Sequence, residues 1–318
     1  MAAYIIRRIF SLIPVLFGIT LLAFLLAYLA PGDPAGNIWF SRHPNIPAKP
    51  ADLEDIREEF GLDDPLLVRY VRWMGSALQG DLGNSYRTGR PVLGEFLLNF
   101  PNTLRLALIG LVLGLLIAFP LGILAAVYPN TLPDLGTRMF SMLGAAMPSY
   151  WLAYIFILFF SVRLKLFPVA GTGSWLHFVL PAIVLGIGIA ASISRLLRSS
   201  MLDVFRSDYI RAARARGIKE KSVIVGHSLR NALIPVVTHI GSLFGFLIAG
   251  AVIIETVFAI PGIGSLVINA IGFRDYPVIQ AFVVYTGIIF VLVNLFVDLS
   301  YTIIDPRVRL TGGERNRG

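Results

Sequence analysis

The chain has 318 residues, of which 56% are hydrophobic and 14% are charged, and its mean hydropathy is +0.75. This balance excludes an ordinary water-soluble domain and predicts a membrane protein. The chain has no cysteine, which excludes thiolate catalysis, disulfides and cysteine-ligated metals. A net charge of +8 does not indicate nucleic-acid binding here, because cationic loops also orient a protein in a lipid bilayer.

Six apolar stretches reach or approach the length that a helix needs to cross a hydrocarbon core about 30 Å thick. They are residues 9–30, 104–127, 139–162, 177–194, 235–260 and 278–304. We therefore predict an all-α membrane protein with six transmembrane helices. Arg7 and Arg8 precede the first stretch as they would a signal peptide, but its apolar run is longer than a signal-peptide core, so we expect a retained helix.

Lys and Arg are distributed unequally between the segments that join these stretches. One side receives 16 of them in the termini and short loops, and the short loops of the other side receive 3. Because basic residues favour the cytoplasmic side, we expect a multi-pass protein of the cytoplasmic (inner) membrane with both termini in the cytoplasm. The predicted regions are the N-terminal region with the first helix (1–30), an external loop (31–103), a five-helix core (104–304) with a cytoplasmic loop at 195–234, and a cytoplasmic tail (305–318).

The external loop shows apolar residues at helical spacing in two places. They are Leu53, Ile56 and Phe60, and then Leu67, Tyr70, Val71 and Met74. We predict short amphipathic helices here, which either cap the ends of the membrane helices or form a docking surface.

Motifs for catalysis or nucleotide binding are missing from the sequence. None of the four lysines, Lys49, Lys165, Lys219 and Lys221, stands in a phosphate-binding loop. The run "GIGIAA" from Gly186 to Ala191 resembles a dinucleotide fingerprint, but it lies in an apolar span, which favours close helix packing. The histidines lack metal-site spacing, and we interpret His239 as a hydrogen-bonded core residue. We therefore expect no catalytic, cofactor-binding or metal-binding residues and no enzymatic activity.

Among the polar residues inside the predicted membrane spans, three are candidate functional positions. Glu255 lies toward the outer end of the fifth span, and Asn294 and Asp298 lie one turn apart toward the cytoplasmic end of the sixth. None lies at the middle of its span, where an ion-driven carrier would need charge. For Asn294 and Asp298 we favour hydrogen bonds between helices.

The cytoplasmic loop contains the segment "DYIRAARARG", which begins at Asp208. Its alanines favour a helix, and Gly217 is a typical residue for ending one. Tyr209, Ala212, Ala213 and Arg216 fall on one face, which is small enough for close approach by another protein. A second helix is expected to start after Lys219.

This segment resembles the cytoplasmic EAA loop of ABC-importer permeases, in which the pattern E-A-A-x-x-x-G is followed by I-x-L-P. Ala212, Ala213 and Gly217 match the pattern, Arg211 replaces the glutamate, and Leu229 matches in the second half. Further stretches are similar to the B-type subunit of the dipeptide/oligopeptide permease family. They are "APGDP", "GDLGNSYRTGRPV", "PNTLRLAL", "ETVFAIPGIGSLV", "RDYPVIQAF" and "VDLSYTIIDPRVRL".

The resemblance implies a type I ABC importer (MetI-like) transmembrane fold and a permease subunit that forms half of a translocation pathway for di- or oligopeptides. It also implies partners: a second homologous permease subunit, two cytoplasmic ATPase subunits that hold ATP and Mg²⁺, and an external, periplasmic solute-binding protein. The implied ATPase-coupling helix runs from about Ser207 to Gly217. Its candidate residues are Ser207, Asp208, Tyr209, Arg211, Ala212, Ala213, Arg216 and Gly217.

Other functions remain open at the level of sequence. The same machinery could import nickel or a glycoside, because permeases similar to this one serve such solutes. An ion-coupled secondary carrier would work without an ATPase, and a structural membrane scaffold would show no uptake.

Overall fold

The computed structural model describes residues 14–25, 28–29, 32–43 and 45–304, without the side chains of 250 and 298–304. The described residues are helical apart from turns, loops and one isolated antiparallel bridge between Asn84 and Pro91. The α-helices are α1 (Pro14–Leu25), α2 (Pro34–Arg42), α3 (Pro50–Phe60), α4 (Leu66–Leu78), α5 (Val92–Val127), α6 (Leu132–Ala146), α7 (Ser149–Phe156), α8 (Val179–Phe205), α9 (Asp208–Ala215), α10 (Glu220–Ser222), α11 (Arg230–Gly250), α12 (Val252–Val257), α13 (Ile263–Gly272) and α14 (Tyr276–Ile304).

Two stretches of π-helix extend this set, Ile157–Arg163 after α7 and Val223–Leu229 before α11. A short 3₁₀ turn, Trp175–Phe178, leads into α8. The described residues divide into two compact units. The first contains residues up to Thr103 together with Pro261–Val291, and the second contains Leu104–Ile260 together with the chain from Leu292.

In the first unit, the two segments predicted to form short amphipathic helices are helical and form α3 and α4. Ile56 of α3 is buried against Ala35 and Ile38 of α2. Tyr70 of α4 packs on α1, with its ring centroid 5.3 Å from that of Phe24. α4 therefore covers part of α1, as expected of a cap.

The count of six membrane helices is not reproduced in full by the described residues. Four helices are long and apolar enough to cross a membrane, and a fifth span arises if α6 and the helix from Ser149 to Arg163 count as one. α6 and the helix from Ser149 to Arg163 meet at a bend of 100°. Met147 is extended, as is favoured for a residue before proline, so α6 ends before Pro148. The predicted span 9–30 falls partly outside the described residues, and the predicted span 235–260 is divided at Ala251 between α11 and α12.

In the second unit, α8 is largely buried, and glycines let the neighbouring helices approach it closely. A Cβ on Gly114 of α5 would lie 2.7 Å from Cβ of Ile189, and one on Gly186 would lie 3.3 Å from the Gly110 carbonyl oxygen. Gly144 of α6 meets Ala191 in the same way. This confirms that "GIGIAA" serves close helix packing.

We expect Gly114→Val to destabilise the protein, because the new side chain would overlap Ile189 on α8. Overpacking of this kind costs about 1–3 kcal/mol. Gly188→Val is the matched control, since a Cβ there meets no heavy atom within 4 Å. Thermal unfolding in detergent should give a lower Tm for Gly114→Val than for Gly188→Val, and equal Tm values would contradict the packing described here.

Candidate functional site

The predicted coupling segment forms a short helix, α9, directly after α8. Ser207 is extended at its N-cap position, and its hydroxyl donates to the Val204 carbonyl at 2.6 Å. Ile210 and Ala213 are buried in a small apolar cluster with Val223, against which Val204 packs. α9 is therefore fixed against its own chain on one side.

Gly217 ends this helix by adopting the left-handed backbone conformation, with φ at +76°. Its N–H donates to the Arg214 carbonyl at 2.9 Å, and the N–H of Ile218 donates to the Ala213 carbonyl at 3.3 Å. These two bonds form a Schellman motif, and Ile218 completes it by packing on the apolar cluster. The predicted role of Gly217 in ending the helix is confirmed.

The exposed side of α9 differs from the predicted face at one residue. Asp208, Tyr209, Arg211, Ala212 and Arg216 are exposed. Ala213 was expected on the same face, but it is only 8% exposed because it lies beside Ile210 in the apolar cluster. The exposed side of α9 is therefore centred on Ala212.

Polar contacts connect α9 to the helix that follows. Arg214 makes a two-bond ion pair with Glu220, at 3.1 and 2.6 Å, and this hydrogen bonding raises the pKa of the Arg214 guanidinium. The amide of Asn231 donates to the Tyr209 hydroxyl at 2.9 Å. An exposed pair between Arg211 and Asp208 is worth little by comparison.

A buried ion pair holds the C-terminal half of α8, ten residues before α9 begins. Asp134 of α6 is fully buried and accepts hydrogen bonds from Arg198, at 2.5 Å from Nε and 2.9 Å from Nη2. The backbone N–H of Asn130 donates to the same carboxylate at 2.8 Å. Arg138 approaches to 3.3 Å from the exposed side. No sequence pattern indicates this pair, because Asp134 and Arg198 stand 64 positions apart.

The intramembrane candidates lie apart from α9. Glu255 is fully buried on α12, and its backbone carbonyl accepts from the Ile260 N–H at 2.8 Å. Asn294 is exposed on α14, and the side chain of Asp298 lies outside the described residues, so their predicted hydrogen bonds between helices stay a prediction. His239 is hydrogen-bonded to the Ser192 hydroxyl at 2.6 Å, as predicted, but it is only half-buried and is not a core residue. Within the described residues, no group of three or more His, Asp or Glu could hold a metal ion.

Two of the family-like stretches meet in the first unit, at Asp275. This carboxylate is 3% exposed and accepts from the Ser85 hydroxyl at 2.5 Å and from the Tyr86 N–H at 2.9 Å. The Arg87 guanidinium lies 3.6 Å from the ring centroid of Phe273. Burial raises the pKa of Tyr86 to about 12. The cluster fixes the conformation of the loop "GNSYRTG".

Comparison with known families covers most of the chain. Residues 118–310 match the family described as "Binding-protein-dependent transport system inner membrane component", and residues 1–107 match the N-terminal part described for membrane components of such systems. The chain belongs to this family. Because the family consists of inner membrane components and the chain has spanning helices, it is a multi-pass inner membrane protein. It works with other subunits of an ABC transport system.

Relatives in the same family match over nearly their full length. The oligopeptide transport system permease protein AppB of Bacillus subtilis (strain 168) is 42% identical over 97% of this chain and 99% of its own. The glutathione transport system permease protein GsiC of Escherichia coli (strain K12) is 40% identical over 97% of this chain and 99% of its own. These relatives are named as transport permeases, which fits a membrane component rather than an enzyme.

A solved structure supports the fold assigned to the family. The inward-facing MetNI methionine ABC transporter has a chain that superposes with a TM-score of 0.54 over 66% of this chain and 96% of its own. The identity is 19%, so the likeness concerns the fold alone. The predicted type I (MetI-like) transmembrane fold is confirmed.

We expect Asp134→Asn to destabilise the protein by about 3 kcal/mol, because it leaves Arg198 without its buried counter-charge. The matched control is Arg138→Gln, since Arg138 is 50% exposed and such a pair is worth less than about 1 kcal/mol. Denaturation in detergent, followed by intrinsic fluorescence, separates the two variants. Equal stability of both variants would show that the pair does not hold α8.

Proposed function

We propose that this chain forms half of the membrane pathway of an ATP-driven importer of di- or oligopeptides, and that the exposed side of α9 binds an ATPase subunit. Membership of the transport family supports the first part. The relatives named for oligopeptides and glutathione support a peptide solute. Nickel and glycoside import, and ion-coupled transport, are not favoured by these relatives.

The single observation that carries the coupling role is the construction of α9. Its inner side is anchored by Ile210, while its outer side presents the small Ala212 between Tyr209 and Arg216. A small residue flanked by an aromatic ring and a guanidinium suits close packing against another protein, because aromatic and arginine side chains dominate binding energy at interfaces. Anchoring on the inner side lets force on the outer side reach α8.

The proposed transport mechanism also requires partner subunits. We propose a second homologous permease subunit, two cytoplasmic ATPases that bind ATP and Mg²⁺, and an external solute-binding protein. The distribution of basic residues supports cytoplasmic termini and a position of α9 on the same side as the proposed ATPases. ATP-driven closure of the ATPases would then favour one of two pore states through differential contact with α9.

We expect Ala212→Arg to weaken ATPase association by about tenfold or more, because a bulky charge would replace the small centre of the face. Ser222→Arg is the matched control, since Ser222 is also small and exposed in the same cytoplasmic segment but lies outside α9. The measurements are ATPase retention on the purified complex and ATP-dependent uptake of a labelled dipeptide.

Competition by unlabelled di- and oligopeptides in the same assay tests the solute class. Full ATPase retention in Ala212→Arg would contradict the docking surface. Uptake that persists without ATP and disappears when the ion gradient is dissipated would contradict the ATP-driven mechanism.

We expect Gly217→Val to uncouple ATP hydrolysis from uptake, because a β-branched residue at φ near +76° is strained by about 1–2 kcal/mol. No heavy atom lies within 4 Å of a Cβ at this position, so the effect arises from the backbone alone. Gly217→Asn is the control, since asparagine tolerates this conformation. ATPase activity per solute transported should rise in the valine variant and stay close to wild type in the asparagine variant; the same ratio in both would contradict the role of the turn.

A further inference from the structure

The exposed face of α8 differs in composition from the exposed faces of the other apolar helices. Gly188, Arg195, Ser199 and Asp203 are its exposed positions, and the partly exposed Ser192 continues the same line. Every residue from 176 to 208 is described, and none of the large hydrophobic side chains in this range is exposed. α8 therefore combines an apolar, buried side with a polar, open one.

The neighbouring helices show what a lipid-facing surface looks like in this protein. α5 exposes Leu108, Val112 and Leu116, and α7 with its π-helix exposes Tyr154 and Leu158. Such faces suit hydrocarbon. Arginine toward hydrocarbon is costly, and ionisable residues in membrane helices usually face the bundle interior or a water-filled cavity. The predicted span ended at residue 194, but α8 continues without a break to Phe205 within one candidate membrane span, so Arg195 lies on the spanning helix. The open side of α8 is therefore unsuited to lipid.

A second line of polar positions continues this surface on α11. Ser242 is exposed there, and the partly buried His239 lies one turn before it. The Ser192 hydroxyl and His239 Nε2 are 2.6 Å apart, which joins the two helices. A cavity of about 420 Å³ opens along Gly188, Ser192, Arg195 and Ser199 beside His239. We call Ser192, Arg195 and Ser199 of α8 with His239 and Ser242 of α11 the polar strip.

Arg195 gives this strip a positive charge. One of its terminal nitrogens donates to the Ser141 carbonyl at 3.1 Å, which fixes the side chain beside the cavity. Arg195 forms no ion pair with any carboxylate whose position is described, whereas Arg198, one turn further, is neutralised by Asp134. A fixed cation that lines a cavity within the low-dielectric protein attracts anionic groups.

We propose that the polar strip is a water-lined wall of the translocation pathway, and that Arg195 attracts the carboxylate of the passing solute. The proposal rests on the proposed transport function and adds to it a surface and a recognised chemical group. Burial of the strip against a partner subunit is the competing explanation, and it makes the opposite prediction for water access.

The natural lack of cysteine makes a direct test possible, because each introduced thiol is the only one in this chain. Ser192→Cys and Ser199→Cys place a thiol on the strip. Leu116→Cys is the lipid-side control, since Leu116 is 66% exposed, and Ser194→Cys is the buried control on α8 itself. The assembled complex, in inside-out membrane vesicles, is treated with a hydrophilic methanethiosulfonate, and modification of this chain is followed by mass spectrometry.

We expect the strip thiols to react at least about tenfold faster than either control, because only a thiol in water ionises to the reactive thiolate. Rates at positions 192 and 199 as slow as that of Leu116→Cys would overturn the proposal. Uptake of labelled dipeptide is measured in the same vesicles. If the strip thiols react slowly but ATP-dependent uptake is intact, the water-lined strip is wrong and the proposed function stands. If they react fast but the parent chain shows no uptake, the water-lined strip is supported and the proposed function is not.

A second arm tests the charge of Arg195. The rate ratio of an anionic (sulfonatoethyl) to a cationic (trimethylammonioethyl) reagent is measured at Ser199→Cys, with and without Arg195→Gln. Loss of a nearby positive charge should lower this ratio by roughly threefold or more. An unchanged ratio would show that Arg195 does not attract anions on this surface.

Discussion

The close packing of α8 is the constraint on which the rest of the second unit depends. Glycines on neighbouring helices bring backbones against Ile189 and Ala191, where one added methyl group would overlap. Nearer the C-terminal end of α8, the buried Asp134–Arg198 pair fixes the same helix to α6. Such a helix responds to force as a rigid body, because a close-packed interior does not deform continuously.

Two parts of α8 have different proposed roles, its connection to α9 and its open side. Only two residues, Arg206 and Ser207, separate α8 from α9. Ile210 of α9 lies in the apolar cluster against which Val204 of α8 packs. A displacement of α9 is therefore a displacement of α8. The open side of α8 carries polar residues, so the element that receives the force also forms the surface that we propose the solute meets. Coupling and conduction would then share one helix.

Sequence patterns predicted the parts of this structure that depend on local chemistry. Apolar length indicated the spanning helices, the spacing of Ile56 and Tyr70 indicated the external amphipathic helices, and Gly217 indicated the end of α9. The bend at Pro148 was missed because the apolar run continues through it.

Contacts between distant positions were beyond this reasoning. The pairing of Asp134 with Arg198 and the loop around Asp275 join residues that no periodicity connects. Ala213 was assigned to the wrong side of α9, because in so short a helix the anchored side is decided by Ile210 and its partners. We propose that Ala212 touches an ATPase subunit. A benzophenone attached at Ala212→Cys in the assembled complex should then give a covalent product with the ATPase on illumination. A product with lipid or with this chain alone would show that the exposed side of α9 does not bind an ATPase.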